Sequence, residues 1–207
     1  MSKLKFFLKQ SWLLLTSSFF FGLLIAMTNT ALSDRIELNK AAKLNDLTRV
    51  LLPGAEIFQP VEADIQVELP DGSKEKTKII EVLAGDKQRL GWSFNAHGSG
   101  FAGPVELVIA VDQDFQKIMG FDVLASSETP GFGDQIKTDY YRKQYAGAPA
   151  EKLALVKTGN PAVADAQIVA ITGATVSSQA VVDIVNRFLT QIKSQMQEKG
   201  LIGNVRQ

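Results

Sequence analysis

The chain has 207 residues, 45% of them hydrophobic, enough for one domain of ordinary size with its own core plus an extra segment. Lysine plus arginine equals aspartate plus glutamate at 22 each, so there is neither the basic excess that draws a protein to nucleic acid nor the acidic excess of a disordered chain. Cysteine is absent and His97 is the only histidine, which excludes disulfides, thiol catalysis and iron–sulfur ligation and leaves zinc or copper without their usual ligands; no metal site is expected.

Between Lys9 and Asp34 no side chain is charged, and the run SWLLLTSSFFFGLLIAMTNTAL, residues 11–32, spans roughly 33 Å as a helix, about one bilayer core. A cleaved signal peptide is the alternative, since Lys3, Lys5 and Lys9 make a basic leader and TNTALS supplies small residues. The run is long for a signal core and lacks an Ala-x-Ala site, so a retained transmembrane helix is the better reading. The positive-inside rule then places residues 1–10 in the cytoplasm and the globular part on the periplasmic or extracytoplasmic side of a bacterial inner membrane. Residues 33–55 read as a leader helix or linker, because apolar residues recur at helical spacing from Ile36 to Leu51 and Pro53-Gly54 ends the pattern.

Strand-like runs follow: KIIEVLA from Lys78, RLGWSFNA from Arg89, PVELVIAVD from Pro104 and KIMGFDVLA from Lys117, separated by turn clusters such as Pro70-Asp71-Gly72. DQIKTDYYRKQYAG reads as a short helix and EKLALVKTG as another strand. From Val176 to about Met196 a long amphipathic helix is predicted, with Ala180, Ile184, Phe188, Ile192 and Met196 at four-residue intervals and Val181, Val185 and Leu189 beside them. Strands gathered between helices make the class α+β.

Three loops carry glycine in excess of a plain turn. AHGSGFAGP, from Ala96, has three glycines in six residues and reads as a wide hairpin loop or as a place of close backbone approach. In SSETPGFGD, from Ser126, Pro130 and Gly131 fit the two central positions of a type II turn, with Glu128 and Thr129 presented beside it and Gly133 in addition. ITGATVSS, from Ile171, opens the long helix. Either Thr172 or Thr175 simply caps that helix, with Gly173 allowing the entry turn, or its free N–H groups and positive dipole end receive an anion such as a phosphate. On the second reading Gly173 and Ala174 leave room, and Thr175, Ser177 and Ser178 offer hydroxyls to bond the phosphate or be esterified to it.

In the order GFAGPVELVIAVD, ETPGFGDQI, TGATVSSQAVV, behind one N-terminal span and a leader helix, the chain resembles the FMN-binding domain family represented by RnfG, the flavin subunit of the Rnf ion-translocating electron-transfer complex, and by its relative NqrC. The resemblance implies a single FMN-binding domain over residues 56–200, with a central, mainly antiparallel sheet flanked by helices, and a C-terminal tail at 201–207. It implies covalent FMN, joined through its phosphate to the last threonine of the [ST]-G-A-T motif, here Thr175, by a flavin transferase of the ApbE type acting outside the cytoplasm. Thr172, Gly173, Ala174, Ser177 and Ser178 would surround the phosphate, and Glu128, Thr129, Pro130, Gly131, Phe132 and Gly133 would border the flavin. The expected partners are the other membrane subunits of an Rnf-type complex moving electrons between ferredoxin and NAD with transport of Na⁺ or H⁺. The chain is then an electron-transfer subunit with no catalytic residue of its own, because the flavin carries the chemistry. Two positions depart from the family pattern. Val169 stands where many members have aspartate, and Ser126 and Ser127 stand where a histidine often precedes ETPG, so that a proton donor near the flavin is either missing or supplied by Glu128. An exported flavin carrier of another quinone-linked or reductase chain, and a non-redox module for a phosphorylated ligand, are the alternatives.

Overall fold

The uncharged run after Lys9 and the amphipathic stretch after Asp34 form one helix, α1 (Lys3–Leu51), in the computed structural model, which describes residues 3–203 apart from the side chains of residues 3–5 and 7–9. A transmembrane helix and a separate leader are expected, but the sequence offers no breaker between them: Gly22 is the only glycine before Pro53, which is itself the first proline. In the apolar stretch the hydroxyls bond back to their own helix, Thr16 to the Trp12 and Leu13 carbonyls, Thr28 to Leu24 and Thr30 to Ala26. Such bonds satisfy polar groups that a hydrocarbon surrounding would leave unpaired. The helix is long and apolar enough to cross a membrane. Two compact units divide the chain between Ala42 and Lys43, so the last turns of α1 belong to the globular unit, which begins there rather than at residue 56. Residues 1–2 of the expected N-terminal segment and 204–207 of the expected tail lie outside the described residues. Leu201 and Ile202 are not a tail, since both pack on the core and the last long helix ends in a Schellman motif, Leu201 N–H donating to the Met196 carbonyl and Gly200 N–H to the Gln197 carbonyl.

The globular unit is built on a five-stranded antiparallel sheet in the order β1-β4-β5-β6-β7. Its strands are β1 (Ile57–Pro60), β4 (Ile79–Leu83), β5 (Arg89–Ser99), β6 (Pro104–Asp112) and β7 (Ile118–Ser126). The last four are the predicted strands, with β5 running three residues past Ala96, so the first glycine loop shrinks to 100–103. On one face lie Ile79, Trp92, Phe94, Ala96, Leu107, Ile109 and Phe121, covered by α3 (Thr175–Glu198), whose Val181, Ile184, Val185, Phe188, Leu189, Ile192 and Met196 are all buried as the spacing requires. Ala180 is only half-buried. The opposite face is closed by the end of α1: Leu52 and Ala55 meet Val82 and Ala110, and the buried Thr48 and Ser93 hydroxyls bond at 2.8 Å.

Besides β1, four short strands escaped the sequence reading or were given without partners: the hairpin of β2 (Gln66–Glu68) and β3 (Lys74–Lys76), and the parallel pair β8 (Ala154–Val156) and β9 (Gln167–Val169). Too short to stand alone, they are closed by side-chain amides that imitate a neighbouring strand. Gln195 and Gln191 of α3 each accept from and donate to one residue of β2, Gln66 and Glu68 respectively. Asn186 does the same for Leu153, and Gln144 for Val169. Alternating apolar residues carry no trace of such a device, so the hairpin is invisible to periodicity.

DQIKTDYYRKQYAG is three pieces, a 3-10 turn over Gly133–Lys137, α2 (Asp139–Arg142) and a 3-10 turn over Lys143–Tyr145, because Thr138 sits extended at ψ 145° and interrupts the helix. The pieces bury Tyr141 and Tyr145 edge-to-face against Phe121. Tyr141 donates to the Ser178 carbonyl at 3.0 Å, so the 2.9 Å bond between the two phenols carries the Tyr145 proton toward Tyr141. Burial raises both phenols well above their ordinary range. Tyr141→Phe strands the buried Tyr145 hydroxyl and should cost about 1–3 kcal/mol, whereas Tyr141→Phe with Tyr145→Phe removes both partners and should cost less than the single change, as read by urea unfolding. Equal or greater loss in the double variant would contradict this bonding scheme.

Candidate functional site

The three glycine loops meet on one side chain. Glu128, at the end of the segment leaving β7, turns its carboxylate inward, where it is 6% exposed. One oxygen accepts the Phe101 N–H at 2.6 Å, from the β5–β6 loop. The other accepts the Ser177 hydroxyl at 2.9 Å, from the first turn of α3. Each donor answers one lone-pair side of a charge that would otherwise be buried without partners. Gly100 and Gly133 are glycine for the same reason, since a Cβ at either position would collide with the Glu128 carboxylate. The hairpin loop is closed on itself by Gly100 N–H donating to the Gly103 carbonyl at 2.7 Å, and Ser126 Oγ accepts the Glu128 N–H.

In the second loop Thr129 to Phe132 is the type II turn that Pro130-Gly131 predicts, with Gly131 at φ +78° and the Thr129 carbonyl accepting Phe132 N–H at 3.2 Å. Pro130, Gly131 and Phe132 are exposed, whereas Gly133 is buried. A Cβ on Gly131 would meet nothing within 4 Å, so this glycine serves the turn and not a close approach; Gly133 serves the approach.

At the helix mouth neither threonine caps. The N-cap is Ala174, which makes no side-chain cap bond, so Thr175 is the first helical residue; it is exposed, as are Thr172 and Gly173. Ala174 does not leave room outside: its methyl is buried in the core. Ser177 and Ser178 are buried and committed, Ser177 to Glu128, Ser178 to the Ala174 carbonyl and the Ile171 N–H, each of the latter two at 3.0 Å. Val169 is buried too, its backbone held by Gln144 and its side chain against Gly159. The sequence reading missed Phe101 and Gly100 as members of this cluster, although their loop was marked by its glycines; nothing local says that a glutamate 27 positions on will bond there.

Residues 100–190, which hold all three loops, match the FMN-binding domain family. The chain is 30% identical over 172 residues to the G component of the ion-translocating oxidoreductase complex of Methanosarcina acetivorans, covering 83% of this chain and 87% of that protein. It is 30% identical over 148 residues to the G component of the proton-translocating ferredoxin:NAD(+) oxidoreductase complex of Clostridium ljungdahlii, covering 72% and 71%. The chain belongs to the RnfG family of ion-translocating oxidoreductase complexes. Its fold is shared with NqrC, the C component of the Na(+)-translocating NADH-quinone reductase, of Parabacteroides distasonis, at TM-score 0.54 over 78% of this chain and 96% of that one; at 18% identity the likeness concerns the fold alone.

The RnfG-family chain therefore carries an FMN-binding domain, and its residues fit that group. An exposed hydroxyl stands at the start of a 24-residue helix, in the field that favours a phosphate, and exposed apolar side chains stand next to it in the helix, Val176, and on the loops that Glu128 ties to that helix turn, Phe101 and Phe132. Glu128→Ala would leave the Phe101 N–H and the Ser177 hydroxyl buried without an acceptor, and should lower stability by about 2–4 kcal/mol. Glu128→Gln keeps one oxygen for Phe101 and an amide that donates to Ser177 Oγ, so it should lose less than half as much. Thermal unfolding of the two variants checks the order; equal loss would mean that the bonds are not what holds the loops.

Proposed function

We propose that this chain is a membrane-anchored flavoprotein that relays electrons through FMN esterified to Thr175 within an Rnf-type ion-translocating complex. The observation that carries the attachment site is the sorting of hydroxyls at the α3 start: Ser177 and Ser178 are buried and already bonded, and of the two exposed threonines, Thr172 and Thr175, only Thr175 lies in the helix, at its first position. A phosphoester there keeps one negative charge at the positive end of the helix, within reach of first-turn N–H groups that no side chain caps. The attachment needs an activated flavin nucleotide: its P–O–P bond breaks as the Thr175 Oγ1–P bond forms, and the hydroxyl proton leaves with the displaced nucleotide. An exported flavin transferase of the ApbE type supplies that reaction.

FMN contributes the one- and two-electron chemistry when bound; the protein's residues hold it, orient it and shield it from side reactions. Thr129 to Gly133 form a rigid turn beside Glu128 whose tip is exposed, suited to border the ring. The electron-relay role rests on membership of the RnfG family and on the FMN-binding domain, and the other membrane subunits of the complex are the partners. The basic residues before the apolar run favour the cytoplasm for the N-terminus and the opposite side for the domain.

Thr175→Ala removes the acceptor without removing a cap bond, so its stability should change by less than about 0.5 kcal/mol while covalent flavin disappears. Thr175→Ser keeps a hydroxyl and should accept flavin. Mass spectrometry of the Thr175 peptide, after co-expression with an exported transferase, should find the flavin there; a transferase confined to the cytoplasm should leave the chain colourless. Covalent flavin persisting in Thr175→Ala would overturn the attachment site, and loading by the confined enzyme would overturn the membrane side.

A further inference from the structure

Phe101 differs from the other exposed aromatic residues of the loops in what holds its backbone, a buried carboxylate, while its ring is free. The side chain is 68% exposed, at the tip of the hairpin loop over residues 100–103. A lone exposed phenylalanine is ordinary on a protein surface. Here, however, the Phe101 N–H is pinned at 2.6 Å to a buried carboxylate, and the loop is braced by the 2.7 Å bond across Gly100 and Gly103. Gly103 also lets the loop lie close to Ser127, where a Cβ would come within 2.7 Å of the Ser127 Cβ. An apolar ring held out from an immobile backbone loses little freedom on meeting a ligand, which is the condition for a binding platform and not for a surface accident.

The same carboxylate ties this platform to Thr175. Glu128 holds Phe101 with one oxygen and, with the other, Ser177, which lies two residues beyond Thr175 in the first turn of α3. Phe132, 62% exposed, stands on the turn that follows Glu128, and Val176, 58% exposed, is next to Thr175. A ligand tethered at Thr175 therefore has an aromatic face, Phe101, linked to its helix turn through the single side chain of Glu128. A planar, partly apolar heteroaromatic ring stacks on such a face, and the loop supplies no charged group to oppose it. Taking the reading of a flavin at Thr175 as given, we infer that Phe101 is the platform on which the isoalloxazine ring rests, and that Glu128 is the positioning residue that sets its distance from the attachment point.

The test uses the full-length chain, loaded by co-expression with a flavin transferase, as wild type, Phe101→Ala and Phe101→Tyr. Covalent flavin per chain is measured first by mass spectrometry, and then flavin quenching by iodide and the visible circular dichroism. In Phe101→Ala the quenching constant should rise by about two- to fivefold and the flavin dichroism should weaken, with loading at Thr175 retained; Phe101→Tyr should restore both. A loaded Phe101→Ala with unchanged quenching and dichroism overturns the platform, including the case in which only electron transfer to a partner protein slows, which would make Phe101 a docking residue. If Phe101→Ala fails to load, the wild type and Phe101→Tyr still decide: equal iodide access in these two and in flavin bound to the unfolded chain overturns the platform. A wild-type chain without flavin on Thr175 sinks the parent reading instead, and is seen at the mass-spectrometric step before any optical measurement.

Discussion

A carboxylate taken out of water must be met by donors, and in this domain the donors that meet Glu128 come from two segments far apart in the chain. The Phe101 amide and the Ser177 hydroxyl lie on opposite sides of it in sequence, bonded to its two oxygens at 2.6 and 2.9 Å. A buried charge tolerates little displacement of its partners, because each lost bond exposes the full cost of desolvation. The β5–β6 loop, the Pro130 turn and the start of α3 are thereby held in one arrangement. The two glycines that face the carboxylate, Gly100 and Gly133, follow from it as a steric requirement.

The rest of the globular unit keeps the two ends of that link in place. Helix α3 is fixed along its length by the apolar side chains that it lays on the sheet, and at its start by the buried tyrosine pair that reaches the Ser178 carbonyl. Its polar side does further structural work: Asn186, Gln191 and Gln195 each complete the backbone bonding of a neighbouring extended segment. A rigid helix start matters for a redox group, since electron transfer and potential both depend on where the ring sits relative to protein dipoles. What the fold has to supply for such a group is a fixed perch at the surface.

Much of this was legible in the sequence, and the failures have physical causes. The apolar runs of β4 to β7 are recognisable because both faces of the sheet are covered, and α3 because one stripe of it is buried. Pro130-Gly131 names its turn type because only glycine takes φ +78° without strain. The β2–β3 hairpin could not be seen, because glutamines 123 and 129 positions away complete it. Ser177 and Ser178 look like ligands beside Thr175, yet a helix turns by about 100° per residue, which carries them inward to Glu128 and Ala174 while Thr175 stays outside. Ala174 misled in the opposite direction, its methyl being part of the core.

The central claim is that the Glu128 carboxylate fixes the two glycine loops and the start of α3 in one arrangement, and the backbone amide of Phe101 reports on it most directly. Its side chain and that of Ala102 are exposed, so a free loop would exchange both amides at similar rates. Amide hydrogen exchange followed by nuclear magnetic resonance should find Phe101 N–H protected by about tenfold or more relative to Ala102, with that protection lost in Glu128→Ala. Exchange of Phe101 as fast as Ala102 in the wild type, or protection that survives removal of the carboxylate, would contradict the account.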